Sequence, residues 1–145
     1  MHLTFHPAAA EDIAPLVALN RDLIETYEDL TAIDLPRVLA WTERKITKNL
    51  SQYSCIFSEG QKVGYFRLCP GEAETELDDF YIFPDFRSRG IGTEVLLRCI
   101  REQTKPLTLC VFTKNTGAMA LYSRMGFRVT ENISHTRCIM RREVL

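Results

Sequence analysis

Apolar positions recur along this chain with two periods, and the switch between them marks the elements. Ile13, Leu16, Val17, Asn20, Leu23, Ile24 and Tyr27 return at helical spacing behind an acidic start, Ala9–Glu11–Asp12. Leu35, Val38, Leu39, Thr42 and Ile46 make a second stripe, with Asp34 as N-cap and Pro36 in the first turn. His2 to His6 reads as a short extended start. After the second helix the period falls to two. Ser54–Phe57 and Val63–Phe66 around a Glu59–Gly60 turn predict a hairpin, and Pro70–Gly71 another turn. A third strand runs from about Glu74 to Phe83, and Pro84 stops it, because proline lacks the N–H that a sheet interior needs.

The turn from Arg87 to Gly92 opens a helix carrying Val95, Leu96, Cys99 and Ile100. Pro106 precedes a strand, Leu107 to Phe112. A helix from about Thr116 to Met125 ends at Gly126, a natural C′ glycine. Strands near Phe127–Val129 and Arg137–Arg142 complete the order β-α-α-β-β-β-α-β-α-β-β. This order predicts one mixed α/β domain over residues 1–145.

Composition narrows the class. Of 145 residues, 46% are hydrophobic and 10% aromatic, which suits a packed core and excludes disorder. Eighteen basic residues against nineteen acidic ones create no basic field, so no nucleic-acid partner is expected. No apolar run approaches the roughly 20 residues of a membrane span, and the N-terminus lacks a signal-peptide pattern. Five cysteines, an odd number with no C-x-x-C pair, read as reduced thiols in a cytoplasmic protein. His2, His6 and His135 are scattered without carboxylates at ligand spacing, so no metal site is expected. Cys110 has no neighbouring histidine to make it a nucleophile, and the basic end Arg137, Arg141 and Arg142 reads as a solvated strand face.

The richest stretch is Glu76 to Val95, where a strand and a proline stop lead through Arg87-x-x-Gly90-x-Gly92 into a helix. The first turn of a helix has free N–H groups and partial positive charge, and glycines let an anion approach them. Arg87 and Arg89 add charge. The turn therefore fits a pyrophosphate, although glycine also serves plain strand-to-helix turns. A Walker loop is excluded by the missing Gly-Lys-Ser/Thr, and the spacing lacks the third glycine of a dinucleotide fingerprint.

At these residues the chain resembles the GNAT superfamily of N-acetyltransferases. The signature Q/R-x-x-G-x-G/A reads Arg87-Ser88-Arg89-Gly90-Ile91-Gly92, and N-x-x-A-x-x-L-Y-x-x-x-G-F is matched at Asn115, Ala118, Leu121, Tyr122, Gly126 and Phe127. The resemblance implies a mixed, mostly antiparallel central sheet of about 6–7 strands flanked by about four helices. It implies acetyl-CoA as co-substrate and no metal. The strand around Phe80 to Phe83 would splay from Leu107 to Phe112, with the pantetheine arm between them near Tyr81 and Ile82. Pyrophosphate would rest on the N–H groups from Arg89 through Gly90, Ile91 and Gly92 to Thr93, and Asn115 would meet the pantetheine.

Acetyl transfer to an amine makes separate demands on protons. A lysine-type amine has a pKa of about 10.4, so about one in a thousand is neutral at pH 7. A base must take its proton, an acid must protonate the thiolate, and N–H groups must face the oxyanion. The resemblance points to Tyr122 as the acid. About two helical turns from Asn115, it shares that residue's face. Glu76 stands where some family members carry a glutamate base. Asp78 projects from the same face about 6–7 Å away, and one such pKa rises. Period two sends Asp79 to the opposite face. A solvated strand start and a water relay remain the alternative to Glu76.

For the acceptor, the family uses the segment between the first two helices, here including Tyr27 and Glu28, together with the strand carrying Glu74, Glu76 and Asp78. These carboxylates favour a cationic amine, a small molecule or a peptide, while Trp41 reads as core rather than as a cation–π contact. The competing function is a non-catalytic acyl-CoA-binding sensor or scaffold. The resemblance is compatible with a homodimer.

Overall fold

The stripes become elements in the computed structural model, which describes residues 1–144. In chain order these are β1 (Leu3–Pro7), α1 (Ile13–Tyr27), α2 (Leu35–Lys48), β2 (Tyr53–Ser58), β3 (Gln61–Pro70) and β4 (Thr75–Ile82). Then come α3 (Ile91–Glu102), β5 (Leu107–Phe112), α4 (Thr116–Arg124), β6 (Arg128–Asn132) and β7 (Arg137–Arg142). Local chemistry explains the ends. Asp34 caps α2 by accepting the Arg37 N–H at 3.2 Å, and Lys45 and Lys48 complement the dipole in its last turn. Asn115 caps α4 by accepting the Ala118 N–H at 3.2 Å. The last hairpin begins later than its sequence suggested: Phe127 is buried in the core, and the strand starts at Arg128.

The seven strands form one sheet in the order β1-β2-β3-β4-β5-β7-β6. Every pairing is antiparallel except β4 with β5. Leu77, Val95, Leu96, Leu107, Leu109, Val111 and Tyr122 belong to a large apolar core under α3 and α4. A smaller core under α1 and α2 joins Leu16 and Ile46 to Tyr53, Cys55 and Tyr65. One sequence expectation needs correction: Trp41 is 57% exposed on α2 instead of buried in the core. At the acidic start of α1, Asp12 is 2% exposed. It accepts the Ala9 N–H at 2.8 Å, Lys62 Nζ at 2.7 Å and the Tyr65 hydroxyl at 2.7 Å. Burial pushes its carboxyl up, but these three donors outweigh burial and bring it down to about 2.

The sheet is nearly cut between β4 and β5. Their parallel ladder covers Thr75–Leu107 and Glu76–Thr108, and beyond it the strands part. Two features turn β4 away. At Gly64 of β3 an added Cβ would lie 2.1 Å from the Tyr81 carbonyl oxygen, so glycine alone lets the end of β4 press against β3. Next to this contact the β3–β4 register shifts between Tyr65 and Arg67. The extra residue falls in β4, where Asp79 has φ of +48°. The result is a wedge, open at the carboxyl ends of both strands, where α3 and α4 begin.

Candidate active site

The floor of the wedge is the start of α3. Gly90 is its N-cap at φ +81°, a left-handed conformation that a side chain would strain, so this glycine serves the backbone. Gly92 serves space instead. A Cβ there would meet Leu121, Phe80 and Ile82 at 3.5–3.8 Å, ordinary contacts, so the fold itself tolerates a methyl. The small residue keeps the first turn bare toward the wedge. The N–H groups of Ile91, Gly92 and Thr93 are among the helix's unpaired first donors.

The two arginines diverge. Arg87 Nε donates to the Ile82 carbonyl at 2.9 Å, and its guanidinium lies 4.9 Å from the Tyr81 ring. It thus braces the end of β4 and occupies a carbonyl at the wedge. Arg89 lies over Phe86 at 5.5 Å and lines an open groove of about 330 Å³ with Met1, Ser58 and Glu59. Tyr81 is buried, and Ile82 is half-buried. Asn115 commits its carbonyl oxygen to the α4 cap, which leaves its NH2 group for a ligand.

Tyr122 stands on the far wall, 8% exposed, with Phe80 at 6.5 Å and Phe127 at 5.7 Å. Burial raises its hydroxyl well above the usual phenol, so it carries its proton at neutral pH.

On the other face of the sheet the carboxylates gather. Glu76 pairs across the ladder with Thr108, at the apex of the wedge. Partial desolvation beside the sheet raises its carboxyl, and the charge of Asp78 adds to the rise. Asp79 requires a correction. The expectation placed it on the opposite face, but the extra residue of the bulge turns it to the side of Asp78. Lys45 Nζ is 3.0 Å from Asp78 Oδ2 and 3.7 Å from Asp79 Oδ2. Arg67 donates to Asp78 at 3.0 Å, and the Tyr53 hydroxyl to Asp79 at 2.6 Å. Glu74 pairs with Arg141. Glu76 is exposed and takes no part in these pairs.

Tyr27 stacks on Phe112 of β5 with centroids 5.9 Å apart. Glu28 accepts the Thr136 hydroxyl at 2.6 Å and faces Arg137 at 3.7 Å. Both residues therefore fasten the α1–α2 connection to the β5–β7 side. Cys110 faces the carboxylates, and its thiol is held above its ordinary value by desolvation first, which disfavours a thiolate. All five cysteines are free. Among the described residues no helix is long and apolar enough to cross a membrane, and no cluster of metal-ligating side chains occurs.

The sequence reading missed Lys45, Arg67 and Tyr53. Lys45 and Asp78 are 33 positions apart, so spacing could not join them. A signal for the bulge did exist, since the adjacent Asp78 and Asp79 interrupt strict alternation.

Comparisons with known proteins agree with this geometry. The model of the acetyltransferase (GNAT) family matches residues 16–127. A peptidyl-lysine N-acetyltransferase, YjaB, of Salmonella typhimurium is 31% identical over 103 residues, 71% of this chain and 59% of that one. An uncharacterized N-acetyltransferase of Methanocaldococcus jannaschii is 37% identical over 60 residues, 39% of this chain. The chain thus spans 59% and 26% of the lengths of these two relatives. The crystal structure of PaiA N-acetyltransferase from Thermoplasma acidophilum, a complex with coenzyme A, superposes with a TM-score of 0.73. It has 18% identity and covers 99% of each chain, so the fold is shared. With the wedge, the bare helix start and the family match in register, the chain belongs to the acetyltransferase (GNAT) family.

Proposed function

We propose that this protein is an N-acetyltransferase that moves the acetyl group of acetyl-CoA directly to a primary amine in a ternary complex. The observation that carries the reading is the two-position ladder of β4 and β5, opening onto the unpaired N–H groups of α3. Exposed strand edges require hydrogen-bond partners, and an extended amide-bearing arm supplies them as a further strand would. Tyr81, Ile82 and Asn115 border that arm. Arg87, Arg89 and Gly90 through Thr93 surround the diphosphate. Acetyl-CoA brings an activated thioester, and PaiA, which shares the fold, is a coenzyme A complex.

Glu76 takes the proton from the acceptor ammonium, and the freed amine attacks the thioester carbonyl. The C–N bond forms and the C–S bond breaks. Tyr122 gives its proton to the departing thiolate, and its phenolate is reprotonated by the second proton that the attacking nitrogen loses as the amide forms. Glu76 suits this role because it is the carboxylate left outside the ion pairs. Its raised pKa matches a base working toward neutrality. Tyr27, Glu28 and Asp78 border the acceptor side. Lys45 and Arg67 neutralise much of the acidic cluster, so the acceptor's charge is met chiefly at Glu76. The relative that acetylates peptidyl-lysine supports a lysine-type amine.

Purified protein is incubated with acetyl-CoA and a panel of amines, and free thiol is followed. Thiol release with one amine, and its loss of at least about 100-fold in Glu76→Gln, is expected. Tight acetyl-CoA binding with no thiol above the blank for any amine would establish an acyl-CoA sensor instead.

A further inference from the structure

Asp79 combines features that rarely occur together. It is a non-glycine residue at φ +48°, with a carboxylate side chain 10% exposed, in the middle of a strand. Left-handed backbone is unfavourable for an L-residue, with aspartate among the more tolerant, and persists only where neighbours over-determine it. Groups from four elements do so here. Tyr53 of β2 donates its hydroxyl to Asp79 at 2.6 Å. Lys45 of α2 spans Asp79 and Asp78, and Arg67 of β3 holds Asp78. Within β4, the Asp78 carboxylate accepts the Asp79 N–H at 2.9 Å. The bulge is therefore tied by its side chains as well as by its own amide.

We propose that Lys45 is a positioning residue for acyl transfer. Its ammonium, shared between Asp78 and Asp79, fixes the bulge that turns β4 away from β5 and so sets the shape of the wedge where the thioester lies. Lys45 is 19% exposed at its side chain and spans two like charges that would otherwise repel. Burial pushes its ammonium down, but Asp79 and Asp78 outweigh burial and hold its pKa above the ordinary value. The Lys45 clamp is therefore charged near neutrality, while burial and then Asp78 raise the Asp79 carboxyl against the opposing pull of Lys45 and the Tyr53 hydroxyl. The position of β4 beyond the bulge, where Phe80 meets Tyr122, depends on it. Lys45 touches no reacting group. It holds the backbone of β4, and its charge also lowers the Glu76 carboxyl, an effect that amide exchange at residues 78–81 does not report. The proposal rests on the acetyltransferase reading for its kinetic consequence, but its structural half stands alone.

The test compares wild type, Lys45→Met, Lys45→Arg and Tyr53→Phe. Lys45→Met keeps the aliphatic stem and removes the charge. Three readouts are taken: thermal midpoint, hydrogen exchange at the amides of residues 78–81, and the separate kcat and KM for acetyl-CoA. In Lys45→Met the β4 amides should exchange faster, and kcat should fall about 10- to 100-fold with KM for acetyl-CoA changed less than about threefold. Lys45→Arg should restore most of both. Tyr53→Phe, which leaves the ring in the core, should show the same pattern more weakly and serves if Lys45→Met does not fold. Unchanged exchange at residues 78–81, or a kcat within about twofold of wild type, would overturn the proposal. So would equal losses in Lys45→Met and Lys45→Arg. A wild-type protein that releases no thiol would sink the acetyltransferase reading, and the exchange comparison would still judge the clamp.

Discussion

The two faces of the wedge are built by different means. On the α3–α4 face the surface turned to the wedge is mostly backbone: unpaired N–H groups, a glycine at φ +81°, a missing Cβ at Gly92, and one buried tyrosine. On the α1–α2 face it is side chains, nearly all of them charged and nearly all already paired. A backbone site is fixed by a few consecutive residues. A side-chain site is fixed by register and by partners from distant elements, and one extra residue rearranges it. The contrast separates groove making from charge placing, and each face is open to its own test.

Tyr122→Phe probes the backbone face with the largest expected effect. The phenyl ring keeps its contacts with Phe80 and Phe127, so acetyl-CoA affinity and folding should hold. Turnover should fall about 100-fold or more with the loss of the acid. An unchanged kcat would return Tyr122 to a packing role. Gly64→Ala comes next. A methyl 2.1 Å from the Tyr81 carbonyl must push β4 outward, costing about 3 kcal/mol in a urea titration and weakening acetyl-CoA binding. Wild-type stability would mean that the close approach is not what opens the wedge.

Asp12→Asn tests the paired chemistry of the other face away from the reaction. The folded carboxyl lies at about 2 against 3.8 for the free group, so it stabilises the fold by about 2 kcal/mol above pH ~4. That contribution fades as pH falls toward 2. The variant should be weaker by that amount at pH 7 and level with wild type near pH 2, and a constant difference would refute the linkage.

Two smaller effects sharpen the comparison. Gly92→Ala should leave the melting midpoint nearly unchanged yet weaken acetyl-CoA about tenfold, because its Cβ suits the protein and obstructs only the anion. Equal loss of stability and affinity would erase the distinction between Gly90 and Gly92. Glu76, held above the ordinary carboxylate value by partial desolvation and by Asp78, should place the acid limb of kcat/KM above about pH 4.3. Asp78→Asn removes the negative neighbour and moves that limb to lower pH. A limb that stays in place excludes Glu76 as the base.

The same division governs how much could be read from the sequence. The elements followed from periodicity, and the α3 turn and the Asn115–Tyr122 helix followed from local motifs. The carboxylates were found as residues but not as an arrangement. Alternation put Asp79 on the wrong face because a bulge is defined only against its partner strand, here by the shift between Tyr65 and Arg67. Gly64 fell inside the predicted hairpin strand Val63–Phe66, and its role depends on the Tyr81 carbonyl, which only the fold brings against it. The burial of Asp12 had no local signal, because its partners Lys62 and Tyr65 come from another element. Trp41 contradicted its type by staying 57% exposed, with Lys45 Nζ over its ring at 5.6 Å from the centroid, the cation–π contact that its sequence reading set aside.

The two-position ladder also bears on cooperativity. β1 to β4 and β5 to β7 are two antiparallel sets of strands hydrogen-bonded to each other at one short seam, with α3 and α4 carrying the rest of the connection. Such a seam is a natural boundary between opening units, so amide exchange in the free protein should resolve two blocks of different protection. A ligand bonded along both strand edges acts as a removable strand. Its arrival should fuse the blocks, and saturation with coenzyme A should sharpen unfolding as well as raise its midpoint.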